Sequence, residues 1–353
     1  MISDVARFSP GTRNLITDVD GVLVGQASDR HIKSGVTVVT SHTAFVASVD
    51  VMGGAPGTRE TDCLAPDRLV DRVDAIVLAG GSALGLDAAS GVADELRAGG
   101  RGYAVGPVKV PIVPAAIIFD LLNGGASDWQ VNPYRNLGIE ALRAASTDFE
   151  LGSAGAGEGA TTANLKGGIG SSSLVLPGGY VVGALAVANP NGAAVDAATG
   201  QFFAAPYEFD GEFGGRGSIA AADPAAVPVN EKLSAYAKLH AVHSESELTG
   251  GNTTLVVVAT DAPLGKTALK RLAVASQDGF ARALVPSHTP IDGDLVFTLS
   301  TTGLSGAREI PLGEQVLLGH GAAVCVSRAI ARGVYEACGR QRDTLPAWAS
   351  RYN

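Results

Sequence analysis

One short segment constrains the fold of this chain more than any other. It is an apolar, β-branched run, Thr254–Thr260 (TLVVVAT), and it follows directly after Gly-Gly-Asn252-Thr253. Successive Val and Leu residues without a helical period predict a strand that is buried on both faces. We therefore expect this strand to lie in the centre of a sheet, with further layers of structure around it.

The rest of the chain mixes strands and helices without strict alternation, which favours a layered α/β sandwich with sheets inside and helices outside. Residues 205–250 differ, because they are more charged and contain three prolines, and they predict an irregular excursion. Strands are predicted at Thr37–Val39, Ala44–Met52, Asp74–Ala79, Tyr180–Ala188 and Leu295–Ser300. Helices are predicted at Ser82–Arg97, with Ser82 as N-cap, and at Glu231–His240, Thr267–Leu284 and Ala322–Cys338.

The composition is that of a globular chain with a sizeable core: of 353 residues, 46% are hydrophobic and 17% are charged. The net charge of −9 argues against a nucleic-acid partner, because a phosphate backbone attracts a basic surface. Three scattered cysteines form no disulfide framework or zinc motif, and Cys325 and Cys338, on one helical pattern, are expected in the core. With no visible secretory signal or apolar membrane span, we expect a cytoplasmic protein.

The Gly-Gly-Asn-Thr segment also has a chemical interpretation. If the peptide bond between Asn252 and Thr253 is cut, the new α-amine and the Thr253 hydroxyl belong to one residue. The amine, with a reference pKa of about 8, can then act as the base for its own hydroxyl. Before the cut, the same hydroxyl can attack the Asn252 carbonyl, and the glycines permit a strained approach. The alternative is an ordinary turn that leads into a strand.

Two other polar motifs could serve such a nucleophile. Asp292 and Asp294 flank a glycine just before the strand LVFTLS, and their carboxylates could bind the Thr253 amine and hydroxyl. Asn189 ends the strand VVGALAVA, and its side-chain amide could donate to an oxyanion. Asp-Gly and Asn-Pro-Asn-Gly are also typical of turns, so the residues alone leave both interpretations open.

Three further features have simpler explanations. His288 stands close to Asp292 and could suggest Ser-His-Asp chemistry, but a surface or loop histidine is the favoured interpretation. Ser82 lacks the G-x-S-x-G spacing of a nucleophile elbow. The glycine-rich tract Gly152–Gly170 lacks the G-K-[ST] ending of a phosphate loop, and we interpret it as backbone packed closely near the active site.

A series of motifs runs along almost the whole chain in a fixed order: NLITDVDGVLVGQ, LAGGSALGLDAASGV, VPIVPAAIIFDLL, GAGEGATTANLKGGIGSSS, GGNTTLVVVATDAPL and IDGD. In this series the chain resembles the self-processing N-terminal-nucleophile hydrolases. That family includes the DmpA-type L-aminopeptidase/D-esterases, the β-aminopeptidases and the nylon-oligomer (6-aminohexanoate oligomer) hydrolases. The resemblance implies a four-layer α/β/β/α sandwich, homo-oligomers that are often tetramers, and no metal or organic cofactor.

The resemblance also implies a precursor that splits before Thr253 into a large chain, 1–252, and a small chain, 253–353, which remain one structural domain. Thr253 would be the nucleophile, and the family's oxyanion asparagine matches Asn189. The nylon-oligomer branch has Asn-Thr-Thr at the cut and an assisting Asp-Gly-Asp pair, and both patterns are present here. The aminopeptidase branch instead has Ser and Glu at the second pair.

Two positions depart from the family pattern. An active-site lysine of the nylon-oligomer branch would fall on Asn164, whereas Lys166, two residues later, matches the KGGIG of the aminopeptidase branch. Lys166 is therefore a candidate catalytic residue whose place the sequence leaves open. A tyrosine of the substrate pocket corresponds to Phe119, in an apolar run without the glutamate that grips a substrate amine in the aminopeptidases.

These features predict an amide hydrolase that acts on 6-aminohexanoate oligomers or related linear amides. Aminopeptidase/D-esterase or β-aminopeptidase activity is the alternative. A second alternative is an unprocessed, non-catalytic relative that binds a small molecule in the same cleft.

Overall fold

The computed structural model describes residues 7–219, 230–240, 251–303 and 309–353. Its strands are β1 (Ser9–Pro10), β2 (Val22–Asp29), β3 (Ser34–Val51), β4 (Thr58–Arg59), β5 (Arg72–Ala79), β6 (Tyr103–Val105), β7 (Val108–Val110), β8 (Ala115–Ile117), β9 (Gly168–Val175), β10 (Val181–Asn189), β11 (Thr253–Thr260) and β12 (Leu295–Ser300). Its α-helices are α1 (Ala88–Ala98), α2 (Tyr134–Arg143), α3 (Lys232–His240), α4 (Lys266–Ser276), α5 (Asp278–Ala283), α6 (Leu312–Tyr335) and α7 (Trp348–Tyr352).

The apolar run Thr254–Thr260 belongs to β11, which lies inside the main sheet. The strand order is β1-β9-β10-β11-β12-β3-β5-β8-β4, with β2 paired to β3. β11 is antiparallel to β10 and parallel to β12, so both of its edges are hydrogen-bonded. The prediction of a buried central strand is confirmed, since every residue of β11 is buried.

Three buried apolar cores separate the layers. The first packs α4, α5 and α6 against one face of β10, β11 and β12, through residues such as Ala186 and Val256. The second holds residues of the opposite face, such as Val187 and Val257, together with side chains of β2, β3 and β5. The third packs α1 and α2 against β3, β5 and β8. The mixed α/β fold is confirmed, with helices packed against the sheet through the first and third cores.

Some predicted boundaries were wrong. The two strands predicted at Thr37–Val39 and Ala44–Met52 are one strand, β3, whose pairing with β5 shifts register between Thr40 and Phe45. The helix predicted at Thr267–Leu284 breaks at Gln277 into α4 and α5, where the Gln277 side chain donates to Asp50.

Ser82 does not cap a helix. Gly81 and Ser82 both have left-handed backbone angles, with φ of 80° and 54°, so the chain makes a turn there. A 3-10 helix, Ser82–Asp87, then precedes α1, and neither start has a side-chain cap. A carboxylate from another segment holds the turn instead, because the Gly81 N–H donates to Asp120 Oδ1 at 2.7 Å.

The C-terminal half agrees with the prediction in part. Helix α3 is confirmed within one residue, while 220–229 and 241–250 of the predicted excursion lie outside the described residues. Helix α6 begins ten residues before the predicted start and ends at Tyr335. Cys325 is buried in α6 as expected, but Cys338 follows the helix end and is exposed, so its placement in the core was wrong.

Candidate active site

The side chain of Thr253 lies against the peptide group that precedes it. Thr253 is the first residue of β11 and is buried, and its Oγ1 donates to the carbonyl oxygen of Asn252 at 2.5 Å. The backbone N–H of Gly293 donates to the same oxygen at 2.9 Å. Two donors therefore converge on the carbonyl of the Asn252–Thr253 peptide, which is the arrangement that polarises a carbonyl for nucleophilic attack.

Two glycines permit this close approach. Gly251 has φ of +92°, and a Cβ placed there would lie 2.6 Å from the ring of Phe119. At Gly293, a Cβ would lie 2.6 Å from Thr253 Oγ1. A side chain at either position would displace the Thr253 hydroxyl or the segment before it, and at Gly251 the left-handed backbone angle also favours glycine.

Asp292 and Asp294 are buried beside Thr253, but their oxygens are held by other groups. Asp292 accepts the N–H of Asn191 at 2.9 Å and, on its other oxygen, the N–H and hydroxyl of Thr289. Burial raises the pKa of Asp292, and the negative charge of Asp294 raises it further. The structure thus brings the acid pair to the site, but the Thr253 hydroxyl donates to neither carboxylate.

Asp294 is linked to the Thr253 segment through the backbone. Its Oδ1 accepts the N–H of Thr254 at 2.7 Å, and its Oδ2 accepts the N–H of His288 at 3.0 Å. The Nδ1 atom of His288 also lies 3.0 Å from Oδ2, but its angle forms no hydrogen bond. The histidine therefore contacts Asp294 rather than Asp292, and the carboxylate fixes the start of the strand that carries Thr253.

Asn189 lies opposite Thr253 in the pairing of β10 with β11. Its Nδ2 donates to the carbonyl oxygens of Phe119 at 3.1 Å and Gly251 at 3.3 Å. Its Oδ1 accepts the backbone N–H of Thr161 at 3.0 Å, which brings the glycine-rich tract to the site. A donor amide thus stands next to the Thr253 hydroxyl, as an oxyanion site would require.

Neither predicted lysine position contacts Asn189 or Thr253 among the described residues. Lys166 is buried and pairs with Asp343 at 3.1 Å, and Lys33 pairs with the other oxygen of that carboxylate at 2.9 Å. Burial lowers the pKa of Lys166. Asn164 is fully buried with both side-chain polar atoms unpartnered.

The lysine that does reach the site is one that sequence analysis missed. Lys232, at the start of α3, donates from Nζ to the Thr161 carbonyl at 3.0 Å and to Asn189 Oδ1 at 3.3 Å. Burial lowers the pKa of Lys232 to about 7, and the charge of Asp292 acts in the opposite direction. The only available signal was its place in a short predicted helix, which gives no direction for its side chain.

Phe119 borders the site, as predicted for a residue of the substrate pocket. It follows β8, is half-buried, and lies against Gly251, while its carbonyl oxygen accepts from Asn189. Among the described residues, no cluster of three or more His, Cys, Asp or Glu side chains is arranged to hold a metal ion. None of the described helices is long and apolar enough to cross a membrane.

Comparison with known proteins gives consistent matches over most of the chain. Residues 14–342 match peptidase family S58. An uncharacterized aminopeptidase of Mycobacterium bovis is 42% identical over 340 residues, which cover 92% of this chain and 94% of the relative. A 6-aminohexanoate-oligomer endohydrolase of Paenarthrobacter ureafaciens is 30% identical over 300 residues, which cover 83% and 76%. The solved L-aminopeptidase D-Ala-esterase/amidase of Ochrobactrum anthropi, a variant of the Ntn hydrolase fold, has a TM-score of 0.62 at 19% identity, covering 96% of this chain and 92% of that one.

The fold and these matches define an amide-bond hydrolase whose mixed α/β fold resembles that of the Ntn hydrolases. The chain belongs to peptidase family S58. The family resemblance that the ordered motifs predicted is therefore confirmed.

Proposed function

We propose that this hydrolase cuts itself between Asn252 and Thr253 and then works as two associated pieces, 1–252 and 253–353, with Thr253 as the nucleophile. The observation that carries the proposal is the 2.5 Å contact between Thr253 Oγ1 and the Asn252 carbonyl oxygen. The second donor on that oxygen, the Gly293 N–H, would hold the oxyanion that forms during the cut.

The cut proceeds through an ester. Thr253 Oγ attacks the Asn252 carbonyl carbon, the C–N bond of that peptide breaks, and the hydroxyl proton goes to the departing nitrogen. Water then hydrolyses the ester, which leaves a carboxylate on Asn252 and restores the hydroxyl of Thr253, now with a free α-amine. Before the cut, the segment that ends at Asn252 lies beside Thr253 in the position that the acyl part of a substrate would occupy.

In turnover, the free amine of Thr253 takes the proton of its own hydroxyl as the oxygen attacks a substrate amide. Asn189 Nδ2 and the Gly293 N–H stabilise the oxyanion, the amine product leaves with the proton, and water releases the acyl group. Asp292 and Asp294 balance the charge of the ammonium that forms, and Asp294 holds the strand start through the Thr254 N–H.

For substrate, we propose linear amides such as 6-aminohexanoate oligomers. The Asn-Thr-Thr and Asp-Gly-Asp patterns support this choice, together with the relative that is a 6-aminohexanoate-oligomer endohydrolase. The carboxylates of Asp120, Asp292 and Asp294 each already accept hydrogen bonds from neighbouring protein groups.

An aminopeptidase activity is the second candidate, because the Mycobacterium bovis relative at 42% identity is named an aminopeptidase. The two activities differ in their need for a free substrate amine. Hydrolysis of the 6-aminohexanoate trimer with a free and with an acetylated amine separates them: an aminopeptidase should lose activity on the acetylated trimer, and the proposed amide hydrolase should keep it.

We also propose a cytoplasmic homo-oligomer, a tetramer of processed pairs, on the strength of the family resemblance; sedimentation velocity tests its size. The cut has the simplest test. Purified protein on a denaturing gel should show two bands in place of one at 35.6 kDa. N-terminal sequencing of the smaller piece should begin Thr-Thr-Leu-Val, and any other start would refute Thr253 as the nucleophile.

A further inference from the structure

Lys232 is a buried lysine at the N-terminus of α3, where the helix disfavours a positive charge. It is the first residue of α3, and its side chain is 1% exposed. A positive charge at a helix N-terminus opposes the helix dipole, and burial disfavours the charged form of an amine. Among the described residues, no carboxylate forms an ion pair with Lys232. The charge of Asp292 favours the ammonium from beyond ion-pair distance, so the direct contacts of Nζ are with neutral groups.

Those neutral groups are carbonyl oxygens at the proposed oxyanion site. Nζ lies 3.0 Å from the Thr161 carbonyl, 3.3 Å from Asn189 Oδ1, and 3.5 Å from the backbone carbonyls of Asn189 and Pro190. One turn further along the same helix face, the Tyr236 hydroxyl lies 2.8 Å from the Thr161 hydroxyl. The inner face of α3 thus covers the side of Asn189 that faces away from Phe119.

These contacts fix which way the Asn189 amide points. The backbone N–H of Thr161 can only donate, so the atom that it meets must be Oδ1, and the same oxygen lies 3.3 Å from Lys232 Nζ. The carbonyls of Phe119 and Gly251 can only accept, so the atom facing them must be Nδ2. Removing Lys232 would leave Oδ1 with the Thr161 N–H at 3.0 Å, a longer bond from the Thr161 hydroxyl at 3.4 Å, and a neighbouring space.

We propose that Lys232 is a positioning residue that holds the carbonyl end of the Asn189 side chain and so aims Nδ2 at the substrate oxyanion. The inference rests on the proposed function, in which Asn189 stabilises that oxyanion. Nδ2 carries two protons, and the Phe119 carbonyl binds one of them. The other binds Gly251 in the uncut chain and becomes available to substrate after the cut.

The inference separates turnover from the cut. In the uncut chain the Asn252 carbonyl accepts from Gly293 N–H and the Thr253 hydroxyl, while Asn189 binds the preceding carbonyl, that of Gly251. A change at Lys232 should therefore slow hydrolysis of added substrate more than it slows self-cleavage.

The test compares two buried lysines in the processed enzyme. Lys266 is the matched control, because its buried Nζ also donates to backbone carbonyls, those of Cys63, Arg68 and Val70. With the 6-aminohexanoate trimer or an alanine p-nitroanilide as substrate, Lys232→Met should lower kcat by about 10- to 100-fold and leave KM within about threefold. Lys266→Met should leave both constants of the folded enzyme unchanged.

A double-mutant cycle tests the route through Asn189. In an Asn189→Ala background, Lys232→Met should lower kcat no further, because its partner is already gone. Lys232→Gln, whose amide can still donate to Oδ1, should recover part of the kcat that Lys232→Met loses. It also replaces the Met variant in the test if that variant does not fold. The proposal would be overturned if the two substitutions lowered kcat additively, or if folded Lys232→Met kept the wild-type kcat. It would also be overturned if a Lys232 variant folded but remained uncut, or if the Met and Gln variants both failed to fold. An error in the proposed function shows separately, as activity that survives Thr253→Ala.

Discussion

Asn189 and Thr253 face each other directly across the antiparallel pair formed by β10 and β11. Alternate residues of the two strands, Val187 and Leu255 among them, point into the second core, so Asn189 and Thr253 point to that same side. Strand register thus places the Asn189 amide beside the Thr253 hydroxyl. A slip by one residue would bring in Thr254, whose side chain belongs to the other face.

The first prediction follows from that register. Thr253→Ala removes the attacking hydroxyl and should leave one full-length, inactive band, while Thr253→Ser should still cut, more slowly. Thr254→Ala is the matched control, because the buried Thr254 hydroxyl has no hydrogen-bond partner among the described residues and its loss should spare the cut. Denaturing gels of freshly purified protein provide the measurement. Normal splitting of Thr253→Ala would point to Thr254 or to an outside protease.

The second prediction concerns the acid pair. Asp292→Asn and Asp294→Asn should each slow the cut and turnover by about two orders of magnitude, because each carboxylate holds backbone donors at the nucleophile. Each should also lower the free energy of unfolding by about 1–3 kcal/mol, since an amide nitrogen then faces an N–H donor. The control is Asp196→Asn, where an exposed carboxylate accepts from Ala198 and Thr199. Turnover at the wild-type rate in both variants would reduce the motif to a turn.

The third prediction concerns Gly251. An alanine there would bring Cβ to 2.6 Å from the Phe119 ring at φ of +92°, so Gly251→Ala should displace Asn252 and block or greatly slow the cut. Gly313→Ala should cut normally and be slightly more stable, because its Cβ would meet nothing within 4 Å inside α6. The time course of splitting after translation in a cell-free system measures both. Equal rates would show that the close approach at Gly251 is dispensable.

The fourth prediction is a pH dependence at Asp120. Burial raises the pKa of Asp120 to about 6, despite hydrogen bonds from Ser34 and Gly81 that act in the opposite direction. The pKa of an aspartate in the unfolded chain is about 3.9. The protonated Asp120 carboxyl therefore adds its full share to the free energy of unfolding below pH 4, and that share is lost as the pH rises through 6. The stability advantage of Asp120 over Asp120→Asn should therefore shrink between pH 4 and 7. Thermal unfolding in the uncut Thr253→Ala background measures it, and a constant difference would contradict the raised pKa.

The fifth prediction concerns metal ions. Since hydroxyl, amine, amide and carboxylate groups account for every proposed step, activity should survive dialysis against EDTA. Loss of activity in EDTA with recovery on adding zinc would overturn the mechanism.

Much of the fold was predictable because local pattern and final environment agree. Every residue of β11 is buried, as its unbroken run of Val and Leu indicates, and Leu295–Ser300 forms a strand with the predicted bounds. The ordered motifs placed Thr253, Asn189 and the acid pair at one site, where the structure brings them together. These residues sit at strand ends, so their positions follow from sheet register.

Which lysine contacts Asn189 could not be predicted in the same way. Lys166 and Asn164 lie within the glycine-rich tract, yet Lys166 forms an ion pair with Asp343 near the end of the chain. Lys232 reaches Asn189 from a helix that other segments position, and no local pattern encodes a contact between residues 43 positions apart. Long-range packing of this kind decides which of several lysines meets a site.

The pairing of β11 and β12 has a consequence for a chain that has been cut. The two strands lie side by side between β10 and β3, so the fragment that begins at Thr253 supplies the middle of a sheet whose flanks belong to the other fragment. Cleavage removes a covalent link without breaking a strand pairing, but it turns refolding into a bimolecular reaction. The midpoint of reversible unfolding should therefore depend on protein concentration after processing and not before it, in any state without further subunit contacts.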